Sequence, residues 1–338
     1  MSEKKSLSEM LKMASLQHEQ GFDDELDPLQ MSTCFRIAAS PLLEKSLILR
    51  VALVALVGMG YKLMDKLGVF SVEAVSPTMF QVVGIALAML LSFKTSLALN
   101  RFWEARGHMG LLMINGRCIC SSLFVLQAGH EDNPKVVEAV TDFVRYCKAM
   151  VFSCVVIVKD RPDNDEMVPH RFMTKKEIDF MEDIEDAREW VVVFSAWMRK
   201  CLGILFIEKV VEPPMHSSIN GELDQMVAAF HGAYKIVSTP IPFPYDQIIT
   251  FTNHMFVLTV PILFVDSFEW GAAAPAGILA FVFLGLDTIA TKLVDPFGDD
   301  IVDLPTIKMA NGMFRDIDMM SKTAQEVGAF VDLPTKKV

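Results

Sequence analysis

The feature that most constrains this chain is the run Met79 to Leu99, MFQVVGIALAMLLSFKTSLAL, which is apolar throughout except for Gln81, Lys94 and a few small polar residues. A helix needs about 20 such residues, at 1.5 Å each, to cross the hydrocarbon of a bilayer. Three further stretches approach that standard: Leu47 to Leu63, Gln247 to Phe264, and Ala272 to Val294. Arg50, near the start of the first of these, is placed to snorkel to an interface. Hydrophobic residues make up 52% of the chain and charged residues 22%, which fits a membrane part joined to a sizeable aqueous part.

Two other apolar stretches are refused as spans because of their charges. Val136 to Val158 carries Glu138, Asp142 and Arg145 at helical spacing, the wet face of an amphipathic helix. Trp190 to Ile207 holds Arg199 and Lys200 near its middle, each costing roughly 2.5–3.5 kcal/mol at a bilayer centre. Lysine and arginine then set the orientation. Asp65 to Thr78 has a single lysine and Ser267 to Gly271 has neither residue, whereas the N-terminal flank and Arg101 to Pro240 carry many. The positive-inside rule places both termini and the long middle region in the cytosol.

The expected organisation is all-α. A cytosolic tail (1–34) leads to transmembrane helices 1 and 2 (35–99), a helical cytosolic domain (100–240), transmembrane helices 3 and 4 (241–294) and a cytosolic C-terminal segment (295–338). The N-terminus has no apolar core and is rich in acidic residues, so it reads as neither a secretory signal nor a transit peptide. The six cysteines (Cys34, Cys118, Cys120, Cys147, Cys154 and Cys201) show no framework spacing and read as small packing residues in a reducing compartment. VDLPTIK (Val302 to Lys308) recurs as VDLPTKK (Val331 to Lys337), which is taken as coincidence.

Within Met79 to Leu99, two rows run side by side at i, i+4 spacing. Gly84, Ala88, Ser92 and Ser96 form a small-residue row of the kind that lets helices approach closely in a membrane. Ile85, Met89 and Phe93 form a bulky row beside it. Around a symmetric pore, copies packed through the small row would point the bulky row at the axis, making a neck that gates by dewetting. Otherwise the bulky row faces lipid or a neighbouring helix. Lys94 either snorkels to the interface or forms a positive ring below the neck that attracts anions.

Four ordered motifs carry a family resemblance. SFKTSLALNRFWEARGHMGLLMINGR (Ser92 to Arg117) contains the Arg-aromatic-Trp motif Arg101, Phe102, Trp103, followed by Glu-Ala-Arg. SPTMFQVVGIAL (Ser76 to Leu87), STPIPFPYDQ (Ser238 to Gln247) and DPFGDDIVDLP (Asp295 to Pro305, with Asp295, Pro296, Phe297 and Gly298 at its head) follow the same order as in the bestrophin family. The chain resembles that family over roughly Phe35 to Pro305, in its bacterial and plant-type form.

The resemblance implies a homopentamer around one axial pore that conducts chloride and often bicarbonate. It places the neck on Ile85, Met89 and Phe93, the row that periodicity also picks out. Animal members carry aromatics at two of these places, where this chain has Met89 at one. A second, cytosolic constriction falls near Pro214 or Met215. The resemblance leaves the host membrane, plasma membrane or thylakoid, and any ligand or voltage modulation open. Pro77, Pro242 and Pro244 mark helix starts, and a helix N-terminus facing the pore favours anions without any fixed lysine.

Asp295, Asp299, Asp300 and Asp303 cluster around Gly298. In animal bestrophins the corresponding turn is a calcium clasp, and Asp300 and Asp303 keep carboxylates for it. This chain has Lys292 where the animal pattern has glutamine, and Ile301-Val302 where that pattern stays acidic, so a solvated capping turn is the other reading. Inside the spans, His254 beside Asn253 reads either as a pore or proton-path residue or as an interhelical hydrogen bonder. Asp287 reads as an intramembrane functional carboxylate or a partner of Lys292.

A net charge of −11 argues against nucleic acid as a partner. No GxSxG, HExxH, Walker A or GxGxxG pattern occurs and the seven histidines are scattered, so an enzyme is not expected. The alternatives to an anion channel are a cation-conducting relative and a non-conducting scaffold. The acidic runs Asp160 to Glu166 and Glu182 to Glu189 would serve partners of the scaffold.

Overall fold

The computed structural model describes residues 44–69, 77–159, 172–298, 300 and 302–330, and among them every regular element is helical. The N-terminal tail with Cys34, the acidic run Asp160 to Glu166 and the second VDLP copy lie outside the described residues. The chain divides into two compact units. Among the described residues, one gathers those up to Glu104 with Thr239–Asp303, and the other gathers Ala105–Ser238 with those from Leu304 onward.

The first unit holds the stretches expected to span. Helix α1 is Lys45–Lys66, and it closes in a Schellman pattern: Val69 N–H donates to the Met64 carbonyl and Gly68 N–H to Asp65, with Gly68 at φ +69°. Helix α2, Pro77–Ala128, opens on the expected proline and runs 52 residues, about 78 Å. The helix of the span expected to end at Leu99 therefore continues unbroken past it, since no proline follows Pro77 to interrupt the i→i−4 ladder. Its residues through Glu104 belong to the first unit and the rest to the second.

The third expected span is in two pieces. Helices α7 (Phe243–Thr259) and α8 (Ile262–Phe268) are parted at Pro261, which lacks the N–H that would continue the ladder. A 3₁₀ turn, Glu269–Ala272, then leads into α9, Ala273–Leu293. The core of this unit is small: Leu47 and Val54 of α1, Leu87 and Leu91 of α2, Ile249, Phe256 and Val257 of α7, Ala280 and Leu284 of α9. Its outside is apolar, with Leu49, Leu53 and Leu56 on α1, Phe251 and Met255 on α7 and Ile278 and Val282 on α9 exposed. A unit that exposes so many large apolar side chains is built for lipid or for further copies rather than for water.

The second unit comprises the end of α2, α3 (Pro134–Val158), α4 (Lys175–Glu182), α5 (Ala187–Ile207), α6 (Pro213–Ser238) and α10 (Thr306–Phe330). Here the buried residues are large and many: Phe143, Met150, Phe194, Met198, Leu202, Leu205 and Phe230. By length and composition α5 would cross a membrane. Yet Trp190, Val191, Phe194, Met198, Cys201, Leu202 and Leu205 are buried, and Arg199 pairs with Asp224 of α6. One apolar face of α5 is taken up by this unit's own core, while Val192, Phe206 and Ile207 stay exposed.

The expected C-terminal segment is divided between the two units at Leu304. From Thr306 it is a helix of the second unit, pinned by Arg117–Asp316 and Lys148–Asp318 and by the Phe172–Phe314 ring contact at 5.2 Å. Of the cysteines described, Cys120, Cys147, Cys154 and Cys201 are buried as thiols, whereas Cys118 is exposed.

Candidate functional site

Two faces of α2 share the work in the first unit. Leu87, Leu91, Lys94 and Ala98, spaced three and four apart, are buried against the unit's other helices. On the opposite face stand Ile85, Met89 and Phe93, which are 72%, 58% and 51% exposed. The bulky row thus falls on one face that the chain itself does not cover. The small row is divided. Gly84 meets Phe256 of α7 so closely that a Cβ would lie 3.0 Å from the ring, while Ala88, Ser92 and Ser96 stay exposed. Close approach at Gly84 is spent within the subunit, not between copies.

Lys94 corrects both of its sequence readings. It neither snorkels nor stands exposed below the bulky row, for its side chain is only 1% exposed. Its ammonium lies 2.6 Å from Asp287 Oδ1 on α9 and 2.6 Å from Asp246 Oδ1 on α7. It also donates to Thr250 Oγ1 at 3.2 Å and Thr291 Oγ1 at 3.4 Å. A charge in such surroundings is tolerated only when paired and hydrogen-bonded. With two carboxylates around one ammonium, the cluster offers no fixed positive charge to attract an anion.

The pairing of Asp287 with Lys292 is corrected with it. Its partner is Lys94, 193 positions away, while Lys292 pairs with Glu44 and Asp300. The residues sequence reasoning missed are Asp246, Thr250 and Thr291. Their signal was present: Asp246/Thr250 and Asp287/Thr291 are each i, i+4 polar pairs in otherwise apolar helices. His254 Nδ1 lies 2.7 Å from the Thr250 carbonyl one turn back. Asn253 is fully buried and donates from Nδ2 to the Phe283 carbonyl of α9 at 3.2 Å.

Arg101 of the Arg-aromatic-Trp motif ties together two segments of chain. Its Nε donates to the Val294 carbonyl at the end of α9 (3.2 Å) and its Nη1 to the Thr239 carbonyl ahead of α7 (2.8 Å). A guanidinium there answers carbonyls that helix ends leave without partners. Phe102 and Trp103 meet edge to face at 5.6 Å, with Trp103 exposed. Pro214 and Met215 occupy the first turn of α6 in the second unit, Pro214 exposed and Met215 half-buried.

The turn after α9 is held by its own atoms. Asp303 Oδ2 accepts the Asp300 N–H at 2.6 Å, and the Asp300 carboxylate lies 3.4 Å from Lys292. Asp295 Oδ1 accepts the Phe297 N–H, Pro296 and Phe297 are buried, and a Cβ on Gly298 would lie 2.7 Å from Asp303 Oδ2. One carboxylate caps backbone and the other faces a lysine. Among the described residues no group of three His, Cys, Asp or Glu side chains is disposed to hold a metal ion. In this arrangement the Asp300 and Asp303 carboxylates are engaged by Lys292 and by a backbone N–H.

Comparison with known proteins adds to this geometry. Residues 28–319 match the family described as Bacterial/Fungal Bestrophin protein. The voltage-dependent anion channel-forming protein YneE of Escherichia coli is 26% identical over 252 residues, 73% of this chain and 77% of that protein. A Synechocystis protein, also named a voltage-dependent anion channel-forming protein, is 24% identical over 245 residues, 70% of this chain and 75% of the other. A crystal structure of a bacterial bestrophin homologue from Klebsiella pneumoniae, in a point-mutant form, superposes with a TM-score of 0.72 at 21% identity. It covers 82% of this chain and 99% of its own.

Proposed function

Since the chain belongs to the bacterial and fungal bestrophin family, an integral membrane group, we propose that it is an anion channel whose neck is lined by Ile85, Met89 and Phe93. The observation that carries the reading is the exposed bulky row on α2, set opposite the stripe that packs inside the subunit. In a homopentamer five such rows converge on one axis, forming an apolar constriction that conducts when it wets. The relatives named as voltage-dependent anion channel-forming proteins support an anion as the permeant ion; chloride, with bicarbonate as a second, is the anion this reading assigns. The N-terminus of α2 at Pro77 supplies partial positive charge and N–H donors at the pore mouth.

In this reading both termini and the second unit lie in the cytosol, as the lysine and arginine bias directs. The first turn of α6 at Pro214 and Met215 forms the second constriction.

Purified protein in planar bilayers tests the proposal. Single-channel currents are expected, and their absence in every salt tried refutes conduction. A chloride gradient sets a reversal potential near the chloride equilibrium value if the channel is anion-selective. Met89→Ala, which removes most of the middle neck side chain, is expected to raise open probability, and unchanged currents count against the neck. A cation-conducting channel is the second reading, favoured by the absence of a fixed positive charge around Lys94. The same reversal potential decides between them.

A further inference from the structure

We propose that the Lys94–Asp246–Asp287 cluster is a positioning device that holds the neck-bearing stretch of α2 in place, so that it governs gating without touching the permeating ion. This rests on the reading of Ile85, Met89 and Phe93 as the neck.

Lys94 directly follows Phe93 in the chain. Consecutive residues of a helix point about 100° apart, so Phe93 faces outward while Lys94 reaches inward. An ammonium has three protons to donate. Here two go to carboxylates on different helices and the third lies between two threonine hydroxyls on those same helices. One side chain of α2 thereby fixes its distance and rotation relative to α7 and α9 at once. Turning α2 by a single residue would carry Lys94 out of the cluster and leave Asp287, 6% exposed, as a buried carboxylate without its counter-charge. That is a steep restraint, placed beside the last residue of the neck row.

The cluster is anchored unequally. Asp287 is buried, and on the next residue of α9 Thr288 Oγ1 accepts from Arg50 Nη2 of α1 at 3.2 Å. Asp246 is 42% exposed at the start of α7. The α9 side is therefore the fixed post and the α7 side the one that water can loosen. Neither threonine nor carboxylate lies on the exposed face of α2, so the cluster acts through helix position alone.

The test uses the full-length channel in planar bilayers, with dwell times, unitary conductance and reversal potential read together. Lys94→Met alone strands Asp287, so the variant compared is Lys94→Met/Asp287→Asn, which removes both buried charges. Mean open or closed times are expected to shift at least about fivefold, the factor that one kcal/mol produces. Unitary conductance and reversal potential should stay at wild-type values.

A changed reversal potential or conductance overturns the proposal, because it puts the Lys94 charge in the ion path. Unchanged dwell times in an assembled variant also overturn it and leave the cluster a stability element only. Asp246→Asn keeps the buried pair and should give a milder shift in the same direction. If the double variant fails to assemble, unchanged dwell times in Asp246→Asn overturn the proposal instead. Met89→Ala, run alongside, separates the two ideas. Altered gating in Met89→Ala with none in the cluster variants sinks the positioning role alone, whereas a silent Met89→Ala sinks the neck and this proposal with it.

Discussion

Glu177→Gln isolates one charge network in the second unit. Glu177 sits in the first turn of α4, where its carboxylate accepts from Arg145 Nη1 at 2.5 Å and Nη2 at 3.0 Å, from the Tyr146 hydroxyl at 2.5 Å and from the Thr174 N–H at 2.6 Å. Burial pushes this carboxyl up, but the bonds from Arg145, Tyr146 and Thr174 outweigh it and bring it from 4.5 down to about 2. Burial and then the Glu177 charge raise the Tyr146 hydroxyl well above its ordinary value, so Tyr146 remains a donor at any working pH.

A carboxyl lowered in the folded state contributes stability that is complete above its unfolded value. That contribution drains away as pH falls from 4.5 toward 2. At about 1.4 kcal/mol per unit, and with the carboxylate side chain 16% exposed, the charged form adds roughly 2–3 kcal/mol near neutrality. The glutamine variant should therefore melt about 4–12 °C lower at pH 7, for roughly 2–4 °C per kcal/mol. Below pH 4.5 its curve should fall less steeply than that of the wild type. Thermal unfolding of detergent-purified protein across pH 7 to 3 measures both. Equal melting temperatures at pH 7, or parallel acid losses in the two proteins, would refute the reasoning.

Two further outcomes follow from the packing. Gly84→Val drives a branched side chain into the Phe256 ring and should cost about 1–3 kcal/mol of overpacking in thermal unfolding, whereas Ala88→Val on the exposed face should cost little. A maleimide at neutral pH should label Cys118 well before Cys120, Cys147, Cys154 or Cys201, read by peptide mass. Those four are buried, and burial pushes the Cys201 thiol up to about 12.

The legible parts of the site were those that rest on local periodicity. The rows on α2 follow from 3.6 residues per turn, and the structure places Ile85, Met89 and Phe93 on one face as that period requires. Which face packs inward was not legible, because apolar residues occur on both. Gly84 belongs to the small row by spacing, yet the neighbour that needs it small is Phe256, 172 positions on. Asp300 and Asp303 read either as metal ligands or as residues of a capping turn, because carboxylates at short spacing are chemically ambiguous. Their roles were decided by a backbone N–H and by Lys292.

The sequence by itself determined that this is an all-helical membrane protein, where its apolar stretches lie, and the family to which it belongs. Those properties depend on hydrophobic length, period and short motifs, which are local. Only the tertiary structure decided that the helix of the second span continues to Ala128, that α5 packs one apolar face into a protein core, and that the C-terminal helix joins the second unit. It also decided the fate of Lys94. A charge at the end of a span reads the same in sequence whether it snorkels, lines a pore or is buried. The difference lies in Asp246 and Asp287, 152 and 193 residues away, which reach it only when α2, α7 and α9 pack together.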